Sequence, residues 1–118
     1  MESNGPICIV DDEQSIRETL EAVLKDEGYQ VISCSNAESF QQQLKELTPS
    51  LVLLDIWLPG RDGMSVLEEL RDTHPELPVL MMSGHTGIES AVSAIKLGAR
   101  DFLEKPLHLE VILNKIAS

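Results

Sequence analysis

The sequence predicts an α/β protein built on one doubly wound, five-stranded parallel sheet. Three features carry that reading. Short apolar runs rich in β-branched residues recur along the chain, helix-period stretches separate them in strict alternation, and polar residues that can do chemistry stand at the ends of the runs. Runs that are apolar on both faces read as central parallel strands covered by helices. Strict alternation of strands and helices means a parallel sheet with right-handed crossovers.

The strands are expected at Ile7–Val10, Gln30–Cys34, Leu51–Asp55, Val79–Met82 and Asp101–Glu104. Between the first two, Ile16, Leu20, Val23 and Leu24 fall on one helical face, and Gly28 supplies a stop. Ala37, Phe40, Leu44 and Leu47 repeat the pattern behind Asn36 as a cap. Met64, Leu67 and Leu70 do so again before His74-Pro75 ends the third helix. Thr86-Gly87-Ile88-Glu89 has capping-box spacing at the start of the fourth helix, which Gly98 closes. Ile88, Val92 and Ile95 are expected to face the core, with Ala91, Ala94 and Leu97 widening the apolar patch onto a second face. Leu109, Ile112, Leu113 and Ile116 form the last stripe, which is still running near Ser118, as in a fragment of a longer protein.

A chain of 118 residues makes one domain with a single proper core. A net charge of -11 argues against nucleic-acid binding by this segment, because phosphate contacts need clustered Lys and Arg. Cys8 and Cys34 fall in apolar runs and read as inert core thiols in a reducing compartment. Residues 1–6 carry no basic region followed by an apolar one, and no run reaches membrane-spanning length, so the expected location is cytoplasmic, with no membrane partner. His74 and His108 read as helix-end surface residues.

The chemistry gathers at one rim. Asp11 and Asp12 follow the first strand and Asp55 ends the third. In an open parallel sheet the ligand site lies beyond the carboxyl ends of the strands. Three carboxylates there repel unless a cation or a proton joins them, and an all-oxygen cluster suits magnesium. With magnesium, one carboxylate can be a ligand and another can attack phosphorus. Phosphoryl transfer also needs hydroxyl and cationic groups aimed at the phosphoryl oxygens. Ser83 follows the fourth strand and Lys105 the fifth, where an X-Pro bond to Pro106 allows a cis peptide. An Asp-Asp pair opening a helix is as often plain capping. Five such groups at the ends of four strands are hard to attribute to chance.

Asp11-Asp12, Asp55 followed by Leu58-Pro59-Gly60, Ser83-Gly84 and Lys105-Pro106 resemble the receiver domain of bacterial two-component response regulators, over essentially the whole chain. That resemblance implies a flavodoxin-like (β/α)5 fold with strand order 2-1-3-4-5. It implies that residues 1–118 are the N-terminal receiver domain of a longer regulator, and that Asp55 accepts a phosphoryl group from a histidine of a sensor kinase. It implies a magnesium site made by Asp12, Asp55 and the backbone carbonyl of Trp57, with Asp11 acting through water. Lys105 would pair with the phosphoryl oxygens, Ser83 would close on them, and Phe102 would swing inward behind. The fourth helix, fifth strand and fifth helix would form an output or homodimer surface.

The segments Ser83-Gly84-His85, 91–99 and 101–107 are similar to the nitrogen-regulation (NtrC/NtrX-type) subgroup, which implies sigma-54-dependent transcription activation by further domains. Phe102 replaces the commoner tyrosine of that family, so its two rotamers should differ mainly in burial. Trp57 and His85 match variable positions that flank the path of the hydrolytic water. An indole there should exclude water and prolong the phosphorylated state. The resemblance describes a switch that acts only on its own phosphoryl group, not a turnover enzyme. Two other readings weigh against it. A haloacid-dehalogenase-like phosphatase wants an acidic residue where Trp57 stands, whereas a degenerate receiver would serve only as an interaction module.

Overall fold

The computed structural model describes residues 5–84 and 88–117. The five apolar runs form the strands β1 (Ile7–Val10), β2 (Val31–Cys34), β3 (Leu51–Asp55), β4 (Val79–Ser83) and β5 (Asp101–Glu104) of one parallel sheet. Their order is β2-β1-β3-β4-β5, the flavodoxin-like arrangement. β1, β3 and β4 are buried along their whole length, which is why their sequences are apolar without alternation. The register sets Val10 beside Cys34 and Leu54, Asp55 beside Met82, and Ser83 beside Glu104. Every strand therefore delivers its carboxyl end to the same rim.

The helices are α1 (Gln14–Asp26), α2 (Ala37–Leu44), α3 (Gly63–Thr73), α4 (Ile88–Lys96) and α5 (Leu109–Ala117). Because strand side chains alternate, the sheet divides the core in two. Cys8, Val10, Val52, Leu54, Val79 and Met81 pack with Phe40 of α2, Leu67 and Leu70 of α3 and Ala94 of α4. Ile7, Ile9, Leu53, Leu80, Met82 and Leu103 pack with Leu20 and Leu24 of α1 and Ile112 of α5. Each fully buried Leu or Ile contributes about 1.5–3 kcal/mol relative to exposure. Cys8 and Cys34 are both free and buried. Burial, reinforced by the neighbouring Cys34, pushes the Cys8 thiol up to about 12.

Local signals hold the helices in place. The Asn36 side chain accepts from Ser39 N–H at 2.7 Å, the predicted cap of α2. Gly28 and Gly98 end α1 and α4 with positive φ. At each, the next residue's N–H bonds back into the last turn: Tyr29 to Leu24 O at 3.0 Å, and Ala99 to Ala94 O at 2.9 Å. Between β3 and α3 lies an element the hydrophobic pattern does not announce, a short antiparallel hairpin pairing Trp57–Leu58 with Arg61–Asp62. Pro59 and Gly60 turn it, with Gly60 at φ +79° as a type II turn requires. Asp62 then caps α3, accepting from Met64 N–H at 2.9 Å.

The expected orientation of α4 needs correction. Val92 and Ile95 face outward, 45% and 47% exposed, while Ala94 is fully buried and Ala91 and Leu97 are half-buried. Both faces of this helix are apolar, so periodicity could not choose between them. The choice comes from packing: Ala94 shares a cluster with Val79 and Ala99, where a small residue lets the helix approach the sheet. The capping-box residues 86 and 87, His85 and the Ile88 side chain lie outside the described residues.

Candidate functional site

The site begins where β1 stops. Asp11 is fully buried, and its Oδ1 accepts the backbone N–H of Glu13 at 2.9 Å, turning the chain into α1. Arg17, one turn into α1, donates to the Asp11 backbone carbonyl at 2.8 Å and ties the loop down. Asp12, the residue between, is exposed at the rim. Asp55 ends β3, 3% exposed, and its Oδ1 receives the Trp57 N–H at 3.4 Å. Asp11, Asp12 and Asp55 each offer a carboxylate oxygen within 4.8 Å of the others.

Lys105 reaches into this cluster from the end of β5. Its Nζ is 2.8 Å from Glu13 Oε1, 2.9 Å from Asp11 Oδ2 and 3.5 Å from Asp55 Oδ2. Its backbone N–H bonds Ser83 O at 2.8 Å, which links β5 to the end of β4. The Lys105–Pro106 peptide is cis. Burial opposes the ammonium charge, but Glu13, Asp11 and Asp55 outweigh it and raise the Lys105 pKa. Burial first, then the charge of Asp11, pushes the Asp55 carboxyl up to about 6, against the pull of Lys105 and the Trp57 N–H. Ser83 is buried at the rim, and Phe102 is half-buried on β5 beside Met81.

The donor set fits a hard divalent cation. All three carboxylates supply oxygen, as magnesium requires. Asp11 Oδ2 is buried without a hydrogen-bond partner of good geometry among the described residues, its neighbour of opposite charge being the Lys105 ammonium at 2.9 Å. A buried carboxylate oxygen left so is costly unless something else satisfies it. Trp57 projects from the hairpin with 59% of its surface exposed.

Asp11, Asp12, Asp55 and Lys105 thus come together as their strand-end positions imply, with Ser83 on the adjoining strand. Three contributors escaped the sequence reading. Glu13 meets Lys105 across 92 positions of sequence, a contact that no local pattern signals. Arg17 lies on the half-buried flank of α1, where a charge reads as solvated. Gly63 starts α3 so close to β3 that a Cβ there would collide with the Asp55 carbonyl and come within 2.8 Å of Ile56 Cα. The Gly60-Arg61-Asp62-Gly63 spacing was the available signal for it.

Residues 7–117 match the family model of the response regulator receiver domain. The chain is 44% identical over 106 residues to the nitrogen assimilation regulatory protein NtrX of Azorhizobium caulinodans, covering 88% of this chain and 23% of that protein. It is thus about a quarter of that relative's length. A crystal structure of NtrX from Brucella abortus in complex with ATP has TM-score 0.90 and 43% identity, with 98% of this chain and 26% of that one covered. The beryllofluoride-activated NtrC4 receiver domain dimer has TM-score 0.90 and 36% identity, with 95% and 93% covered. On the match over nearly its whole length, the chain belongs to the response regulator receiver domain family.

Proposed function

We propose that this domain is a magnesium-dependent phosphorylation switch whose phosphoacceptor is Asp55. The observation that carries the proposal is the buried Asp55 carboxylate, grouped with Asp11 and Asp12 and faced by Lys105 at 3.5 Å. In the transfer, an Asp55 oxygen forms a bond to phosphorus as the bond from phosphorus to the kinase histidine nitrogen breaks. The electron pair of that bond leaves with the imidazole. Asp12, Asp55, the Trp57 backbone carbonyl and, through water, Asp11 would hold magnesium, which when bound would supply positive charge to neutralise the phosphoryl oxygens. Lys105 supplies a second positive charge to those oxygens, and Ser83 a hydroxyl.

Phosphorylation shifts a two-state equilibrium by the contacts that form in only one state. Ser83 and Lys105 make those contacts, and Phe102 follows inward. The partner is a sensor histidine kinase. Val92 and Ile95 on α4, with Leu109 and Val111 on α5, are exposed apolar residues on the α4-β5-α5 side. The relative solved as an activated receiver dimer supports a phosphorylation-dependent homodimer, and these exposed residues offer the side for it. The 44% identity to a nitrogen assimilation regulatory protein about four times as long supports a place for this domain in a longer regulator. From the resemblance of residues 83–85, 91–99 and 101–107, we take that regulator to be a cytoplasmic activator of sigma-54-dependent transcription with residues 1–118 at its N-terminus.

Intact-protein mass after incubation with acetyl phosphate tests the proposal. One added phosphoryl group is expected with magnesium, and none with excess EDTA or in Asp55→Ala. Absence of addition in the wild type under every condition, including with a histidine kinase, would leave an interaction module that has lost the chemistry.

A further inference from the structure

Lys105 has three N–H bonds to give, and three carboxylates surround it. Its nearest partner is Glu13 at 2.8 Å, whereas Asp55 is the farthest at 3.5 Å. Asp11 and Asp55 are fixed by burial and by backbone N–H bonds from Glu13 and Trp57. Glu13 differs: its backbone is held as the first residue before α1, but its side chain makes no capping bond and is 55% exposed. A group so placed returns to water at little cost, so it is the partner Lys105 can release most cheaply.

We infer that Glu13 is a positioning residue that draws the Lys105 ammonium towards itself, at 2.8 Å against 3.5 Å to Asp55, in the unphosphorylated state and must give it up when a phosphoryl group arrives. The inference rests on the proposed phosphorylation of Asp55. In the step itself an Asp55 oxygen bonds to the phosphorus of acetyl phosphate, and acetate departs with the electrons of the broken phosphorus–oxygen bond. The incoming phosphoryl oxygens then compete with the Glu13 carboxylate for the same ammonium. Glu13 therefore disfavours the phosphorylated arrangement.

Two readouts at saturating magnesium test this: the initial rate of phosphorylation by acetyl phosphate, and the affinity for beryllofluoride, a phosphoryl mimic, followed by fluorescence of Trp57. The contact is that of a partly exposed ion pair, so Glu13→Gln should raise both by about two- to fivefold. Glu13→Asp, which keeps the charge but loses the reach, should also raise them. In a Lys105→Ala background, removing Glu13 should change neither, because Glu13 acts through Lys105. Equal values for wild type and Glu13→Gln overturn the inference. So does the same gain with and without Lys105, which would mark a general charge effect. A wild type that takes up neither phosphoryl group nor beryllofluoride overturns the phosphorylation reading itself, and this inference with it.

Discussion

Asp55 is the least comfortable ionised group at the rim. Its burial and the neighbouring Asp11 lift its pKa to about 6, above the ordinary carboxylate value, so the folded state holds this proton more tightly than the unfolded chain. Stability from the protonated form is complete below about pH 4 and is lost as pH rises through about 6. In EDTA, Asp55→Asn should therefore be more stable than wild type at pH 7, by up to about 3 kcal/mol, and the gap should close below about pH 4. Urea unfolding across that range checks the sign. A gap that widened in acid would overturn this account of Asp55. Trp57 poses a different question, because its side chain is largely exposed while its backbone N–H reaches Asp55. If the indole keeps water from the phosphoryl group, Trp57→Asn should shorten the lifetime of phosphorylated protein several-fold. Equal decay rates would leave the indole a mere cover on the rim.

At the level of elements, α4 separates what a pattern shows from what packing decides. Ala94 meets the sheet and Ile95 meets solvent, the reverse of the orientation that larger apolar residues suggest. Ala94→Leu should then overpack the buried cluster it shares with Val79 and Ala99 and destabilise the domain by about 1–3 kcal/mol. Ile95→Ala should stay within about 0.5 kcal/mol of wild type. Denaturant midpoints with unchanged slopes decide the matter, and the opposite ranking would restore the sequence-based orientation. The β3–α3 connection makes a related point. The hairpin, the Asp62 cap and the close approach at Gly63 together fix the chain just after Asp55, so the residues behind the carboxylate are set by backbone geometry rather than by charge.

For the whole molecule, a net charge of -11 resists self-association unless a local apolar surface outweighs it. The outward Val92 and Ile95, with Leu109 and Val111 of α5, provide such a surface. Light scattering should show the mass doubling on addition of beryllofluoride and magnesium, and Ile95→Glu should keep the protein monomeric while still taking up one phosphoryl group. A mass unchanged by activation in the wild type would remove the homodimer from the proposed function of this domain. No helix among the described residues is long and apolar enough to cross a membrane.

The sequence by itself determined the sheet and its rim. Ile7–Val10 and Leu51–Asp55 are apolar on both faces because both faces are covered, so strand position and the strand-end carboxylates could be read directly. Asn36, Gly28 and Gly98 mark helix ends through local hydrogen bonds and positive φ, which depend on a few adjacent residues. Tertiary structure alone decided which face of α4 is buried, because two apolar stripes compete and only contact with the sheet separates them. It alone brought Glu13 to Lys105, since neither the charge of a residue nor its neighbours in sequence names a partner 92 positions away. Local patterns are set by short-range sterics and hydrogen bonds, whereas the pairing of charges across the rim is set by where the folded strands end.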